Sequence, residues 1–317
     1  MKIPGLSKRN IIISVGFVLF VILVITVKTT SKETLLALKS ANFKYLIISC
    51  LCWILYILSD GTRFSLAALS VSEKRLDIIT AIKIISIGIF LAAVTPFQVA
   101  GLPVQIMLLN KRKIGIGKST AILAARGFIA YSTVLIAVLI SLKTIWPPPS
   151  DLIKGVVIYA TSIVLGIVII YGLAIFAPKL ISKVLKSKRL LEEINSLRET
   201  TISFVRNSNK ILLLFAFLSS FISHLSLCAI PYFLALSFNT NIKFTYAFSF
   251  QSLIQGGLIW TPTPGGTGIA EGVSLLIFKN YINSEILGLF VILWRFFTHH
   301  ITAIVGALFL LDEARKF

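Results

Sequence analysis

The sequence predicts an all-α polytopic membrane protein of about six spanning helices plus two re-entrant helical hairpins in an inverted repeat. Three observations predict it. Of the 317 residues, 56% are hydrophobic and only 14% charged, too little polar surface to cover a soluble domain of this length. Apolar runs such as 11–27 and 155–177 approach the ~20 residues that cross a bilayer. Two further apolar regions are interrupted by residues that cannot continue a helix, TPFQVAG at 95–101 and TPTPGGTGIAEG at 261–272.

In chain order, spanning helices are expected at about 11–28, 43–60, 118–143, 153–177, 210–237 and 286–311. Run 11–27 lacks a small-residue cleavage site followed by a soluble domain, so it reads as the first span and not as a signal peptide. The regions 80–110 and 246–279 are each broken in the middle, leaving arms of about 13–16 residues. At ~1.5 Å per residue such an arm falls short of a ~30 Å hydrocarbon core. A hairpin that enters and returns fits better than a pair of spans. Trp146 and the three prolines after it form a turn on the outer side. Segment 178–210 is charged, with leucine, isoleucine and valine at roughly helical spacing, and reads as an amphipathic helix on the cytoplasmic surface.

Net charge is +19, from 31 basic against 12 acidic residues. The basic residues sit between apolar runs, so anionic lipid headgroups are the expected partner and nucleic acid is not. If both broken regions return to the side they came from, the loops divide 21 basic residues to 8. The richer side includes both termini, which the positive-inside rule places in the cytoplasm. Two basic residues remain inside apolar helices, Arg126 and Arg295, and one acid, Glu271, remains at membrane depth. A charge at the centre of a spanning helix costs ~2.5–3.5 kcal/mol even on the mildest scale. These groups are expected to face one another or a polar cavity.

The chain reads as a single transmembrane domain of two halves, 1–145 and 150–317. Thr95-Pro96 recurs as Thr263-Pro264 at an offset of 168, and Arg126 recurs as Arg295 at an offset of 169. Matching interruptions in two halves point to a transporter with its site at the breaks.

Gly265, Gly266 and Gly268 let the backbone turn tightly and approach a ligand. The arm that follows would direct its first amides, and the positive end of its dipole, at a phosphate or carboxylate. Glu271 can cap those amides, pair with Arg295 or Arg126, or meet a cationic headgroup. The two arginines suit forked recognition of phosphate, or else neutralise Glu271 and helix carbonyls. Gln98, Gln105, Gln251, Gln255, Thr95 and Thr263 lie at or near the hairpins and can line a polar path. His299 and His300 follow Arg295 by one turn, as packing groups or a proton relay, while His224 carries no signal. Cys50, Cys52 and Cys228 lie in apolar segments and read as small packing residues, neither a disulfide framework nor a metal site. No HExxH, P-loop, GxSxG or deep carboxylate pair is present, and KIGIGKST (113–120) lacks the phosphate-loop spacing. No enzyme, metal or cofactor is expected.

The pattern Pro-x-Pro-Gly-Gly-x-Gly-x-x-Glu, from Pro262 to Glu271, resembles the transmembrane region of the lysylphosphatidylglycerol synthetase/flippase family. The earlier 96–101 hairpin, Arg126 and the Trp294-Arg295 pair extend the resemblance over nearly the whole chain. The resemblance implies a lipid flippase; in the family this region is sometimes fused to an aminoacyl transferase domain, which a chain ending at Phe317 would lack. Gln98, Leu102-Pro103 and Ala125 depart from positions where the family often carries charged residues, so the lipid is not carried over. The expected function is non-ATP-driven movement of a lipid headgroup: an anionic or aminoacylated phospholipid or a polyprenyl-phosphate-linked lipid. The alternative is a non-catalytic partner that presents lipid to a separate lipid-modifying enzyme, a glycosyltransferase or synthase.

Overall fold

The computed structural model describes residues 38–39, 41–72, 75–145, 151–176, 199, 202, 209–258 and 261–315. The expected helix at 11–28, the 146–149 turn and nearly all of the 178–210 segment lie outside them. The described residues are helical, without strands: α1 (Phe43–Ser72), α2 (Ile78–Ala93), α3 (Gly101–Lys111), α4 (Ile116–Ile145), α5 (Asp151–Phe176), α6 (Lys210–Ser237), α7 (Phe244–Gly257), α8 (Ile269–Phe278), α9 (Ser284–Arg295) and α10 (Ile301–Arg315). A π-helical turn, Phe296–His300, joins α9 to α10. Among the described residues four helices are long and apolar enough to cross a bilayer: α1, α4, α6 and the continuous stretch 284–313.

Helix ends follow local chemistry. Asp77 caps α2 by accepting from the Thr80 amide at 2.8 Å, a bond that holds its carboxyl below the ordinary carboxylate range. Asn209 caps α6 through the Ile211 amide at 2.9 Å. On α1, Leu51, Leu55 and Leu58 form an exposed apolar stripe, while Asp60 and Arg63 on the same helix are buried. Apolar side chains outward and charges inward is the arrangement a lipid solvent demands.

One expectation is corrected here. The second span does not end near residue 60 but runs to Ser72, so Asp60 and Arg63 belong to its buried face and not to a loop. Gly61 does not end the helix. It lets α2 approach, since a Cβ there would lie 2.7 Å from Ile82 Cγ1.

The arms of the broken regions have 16, 11, 14 and 10 residues (α2, α3, α7, α8), each shorter than a ~30 Å core at ~1.5 Å per residue. Lys83 near the start of α2 pairs with Asp312 at 3.6 Å, and Arg112 after α3 pairs with Glu313 at 3.4 Å. Both outer ends of the first broken region thus meet the end of α10. In the second, Tyr246 near the start of α7 packs on Tyr281 after α8, with ring centroids 5.3 Å apart. The Asn42 amide donates to the Ser237 carbonyl at 2.8 Å, so α1 begins where α6 ends. The second region therefore opens towards the start of α1, whereas the first follows its end.

Among the described residues, two larger apolar cores support this frame, beside a small one at Ala67, Ala125, Ile129 and Ala216. One gathers Phe64, Ile84, Ile85, Leu91 and Leu109 around α1 to α3. The other gathers Phe250, Phe278, Phe290 and Trp294 with the later part of α4. The helix pair α2 and α10 is packed backbone to backbone at Gly306, where a Cβ would overlap the Ser86 carbonyl oxygen. Backbone cannot step aside as a side chain can. Gly306→Ala is expected to cost about 1–3 kcal/mol, as overpacking does, read as a lower unfolding temperature in detergent. Gly272→Ala, where a Cβ meets nothing within 4 Å, is expected to leave it unchanged or raise it.

Candidate functional site

The second break is built from positive φ angles. Gly265, Gly266 and Gly268 take φ of 59°, 73° and 86°, conformations that cost a side-chain-bearing residue roughly 1–2 kcal/mol. The turn lets α8 start at depth, and Glu271 in its first turn caps it, accepting from the Gly268 amide through Oε2 at 2.6 Å. The other oxygen, Oε1, lies 3.2 Å from Arg295 Nε. Arg295 also donates from an Nη to the Gly265 carbonyl. One arginine thus clasps both the turn and the carboxylate, and both side chains are about 95% buried. The neighbouring Trp294 donates to Gln251 Oε1 at 2.7 Å.

The turn amides have partners of their own. Gly266 donates to Thr263 O, Thr267 to Pro264 O and Gly268 to Glu271. These three amides of the turn are thus engaged within the protein. Buried polar atoms without partners lie nearby: Thr263 Oγ1, Gln255 Oε1 and His299 Nε2. His299 Nε2 faces the turn, since a Cβ on Gly265 would come within 2.8 Å of it. It stands on the π-helical turn, a distortion often found at functional sites.

The first break has the same backbone. Phe97 (φ 53°, ψ 16°) and Gly265 (φ 59°, ψ 14°) are 168 positions apart and match; Gln98 (φ 57°) and Gly266 (φ 73°) match likewise. The helices α3 and α8 also start 168 positions apart, as do α4 and α9. Here no glycine relieves the left-handed conformation; a phenylalanine and a glutamine carry it. Thr95 holds the turn, donating to Leu91 O at 2.7 Å and accepting from the Ala100 amide at 3.3 Å. The two breaks touch: the Phe97 amide donates to Pro262 O and Gln98 Nε2 to Leu258 O, each at 3.4 Å.

Arg126 is not part of this crossing. It binds Asp60 with two nitrogens, Nε at 3.2 Å and Nη2 at 2.7 Å. Asp60 also takes a 2.5 Å ion pair from Arg63, which donates onward to Ser220 Oγ at 2.7 Å. Thr133 adds a hydrogen bond to Ser220 at 2.8 Å. Thus, of the two arginines offered to Glu271, Arg295 meets it while Arg126 has another acid, and Glu271 is not the sole buried carboxylate among the described residues. Asp60 and Arg63, at i and i+3 in a helix that stays apolar beyond them, were the missed signal.

The matched breaks, with Glu271 and Arg295 joined at the second, place the sequence pattern in a defined geometry. The chain belongs to the lysylphosphatidylglycerol synthase TM region family. The family model matches residues 11–306, which takes in both breaks and both buried ion-pair centres. The chain is also similar to a UPF0104 membrane protein of Archaeoglobus fulgidus, 25% identical over 296 residues, which span 88% of this chain and 90% of that relative. Family membership and the four long apolar helices make this a multi-pass membrane protein.

Elsewhere, His224 Nε2, Ser252 Oγ and Cys228 Sγ form a buried hydrogen-bonded group, with His224 2.9 Å from Ser252. Cys50, Cys52 and Cys228 are free thiols. Among the described residues no cluster of three histidine, cysteine or carboxylate groups is placed to hold a metal.

Proposed function

We propose that this protein moves the polar headgroup of a lipid across the bilayer past the crossing of its two helix breaks. The lipid is an anionic or aminoacylated phospholipid or a polyprenyl-phosphate-linked lipid, and its acyl chains stay in the bilayer. No covalent chemistry and no cofactor enter this reading. The observation that carries it is the contact of the two interrupted helix pairs at their breaks, with the Arg295–Glu271 clasp buried beside it. Interrupted backbone is tolerated at membrane depth only where protein buries it or a wet cavity meets it.

In this reading both broken regions are re-entrant, and the halves 1–145 and 150–317 form an inverted repeat. Matching break geometry and openings towards opposite ends of α1 support it. With Arg63 moved into the membrane, the basic loop residues divide 20 to 8 and still favour cytoplasmic termini. Segment 178–210 then lies against the anionic headgroups of the inner leaflet.

Opening the crossing requires Arg295 to release the Gly265 carbonyl. Lysine keeps the charge but lacks the fork that clasps turn and carboxylate together. Arg295→Lys is expected to slow headgroup flipping at least tenfold in proteoliposomes. Gly266→Val is expected to do the same, since its Cβ would sit 3.1 Å from Leu258 and 3.2 Å from Thr261 at φ 73°. Folding is checked separately by size-exclusion profile and unfolding temperature. Parental flipping by both folded variants overturns the role of the crossing. If the parent flips lipid only when a lipid-modifying enzyme is co-reconstituted, the partner reading holds in its place.

A further inference from the structure

We infer that the phosphate of the transported lipid is held at the Asp60–Arg63–Arg126 cluster on α1 and α4, and not at Arg295–Glu271. This rests on the lipid-transport reading and names which of two buried centres takes the anion. The argument is charge balance. At Arg295–Glu271 one guanidinium meets one carboxylate, and the pair is neutral. At Asp60 one carboxylate meets two guanidiniums, and among the described residues no second carboxylate reaches them. The cluster carries one uncompensated positive charge at membrane depth, where isolated charge is most costly. A monoanionic phosphodiester supplies the missing charge.

Geometry points the same way. Arg63 is 7% exposed, yet its Nε has no acceptor. The Arg126 side chain is 18% exposed, against 5% for Arg295, so it is the most accessible guanidinium of the two centres. Its face lies over the Phe64 ring, 5.4 Å from the centroid, which fixes the plane of the fork. Asp60 holds both arginines in place without cancelling both. It is a positioning residue that keeps the excess at one charge, so that the anion can leave again. Arg295 Nε also lacks a hydrogen-bond acceptor, but it already faces a carboxylate of its own, Glu271 Oε1 at 3.2 Å, so no charge is missing there.

The test measures binding with two probes, inorganic phosphate and dioctanoyl-phosphatidylglycerol, on the full chain in an uncharged detergent; dioctanoylglycerol is the phosphate-free control. The parent should bind the phosphoglyceride and not the control. Binding of inorganic phosphate as well would mean that phosphate chemistry suffices, and preference for the lipid that the acyl chains add to it. Arg126→Gln should weaken binding at least tenfold, the scale expected when one partner of a buried charged contact is removed. Where that variant fails to fold, Arg126→Lys, which keeps the charge and loses the fork, should weaken it several-fold. Asp60→Asn leaves two uncompensated guanidiniums and should bind tighter than the parent, with its unfolding temperature raised more by phosphate than the parental one. A merely structural ion pair would give no such phosphate dependence. The inference is overturned if Arg126 variants bind both probes like the parent, or if Arg295→Lys alone abolishes binding. Flipping by the parent together with Arg126-independent binding overturns this assignment alone; Arg126-dependent binding without any flipping overturns the transport reading and leaves the site.

Discussion

Glu271→Leu is expected to destabilise the protein by about 3–5 kcal/mol, because it strands the Arg295 guanidinium among apolar side chains. Glu271 is 3% exposed and Arg295 4%, so water cannot take over the lost charge. The same substitution removes the acceptor of the Gly268 amide and with it the cap of α8. The double variant Glu271→Leu/Arg295→Met removes both charges and should recover most of the stability, since a buried ion pair replaced whole by apolar groups is often neutral. It should not recover lipid flipping, because no clasp remains to close the crossing. Unfolding temperature reads the first effect and proteoliposome flipping the second. A single variant as stable as the parent would show that Arg295 is compensated elsewhere.

The second break and its ion pair were legible because their signals are chemical and local. Proline and glycine mark an interruption wherever they fall in an apolar run, and a charge at depth demands a partner. The recurrence of Thr-Pro 168 positions on also corresponded to real backbone geometry, with Phe97 adopting the conformation of Gly265. Two things were not legible. Asp60 precedes a glycine and lies near charged residues, so it read as the edge of a loop; only packing shows that α1 continues to Ser72 and buries it. The second is how the turn amides of 265–268 are used. Sequence offers them all, while the hydrogen bonds to Thr263, Pro264 and Glu271 show those of Gly266, Thr267 and Gly268 engaged within the protein. In each case a long-range or conformation-dependent partner decided between alternatives that composition leaves open.

The crossing makes a second large effect predictable. Gly265 sits where the two broken regions touch: a Cβ there would lie 2.8 Å from His299 Nε2 and 3.2 Å from the Ala93 Cα, at the end of α2. Gly265→Ala therefore adds a left-handed penalty of ~1–2 kcal/mol to an overpacking cost of ~1–3 kcal/mol, and it does so at the contact that must move. It is expected to lower the unfolding temperature and to slow lipid flipping more than tenfold. The double variant Gly265→Ala/His299→Ala separates the two costs. It frees the space on the π-helical turn but leaves φ at 59° and the Ala93 backbone in place. Recovery of stability assigns the loss to the His299 contact; no recovery assigns it to the backbone. Gly272→Ala, seven positions on in α8 with open space around it, is the matched control and should flip lipid as the parent does. If Gly265→Ala matches that control in both stability and flipping, the contact between the breaks is not where transport is controlled.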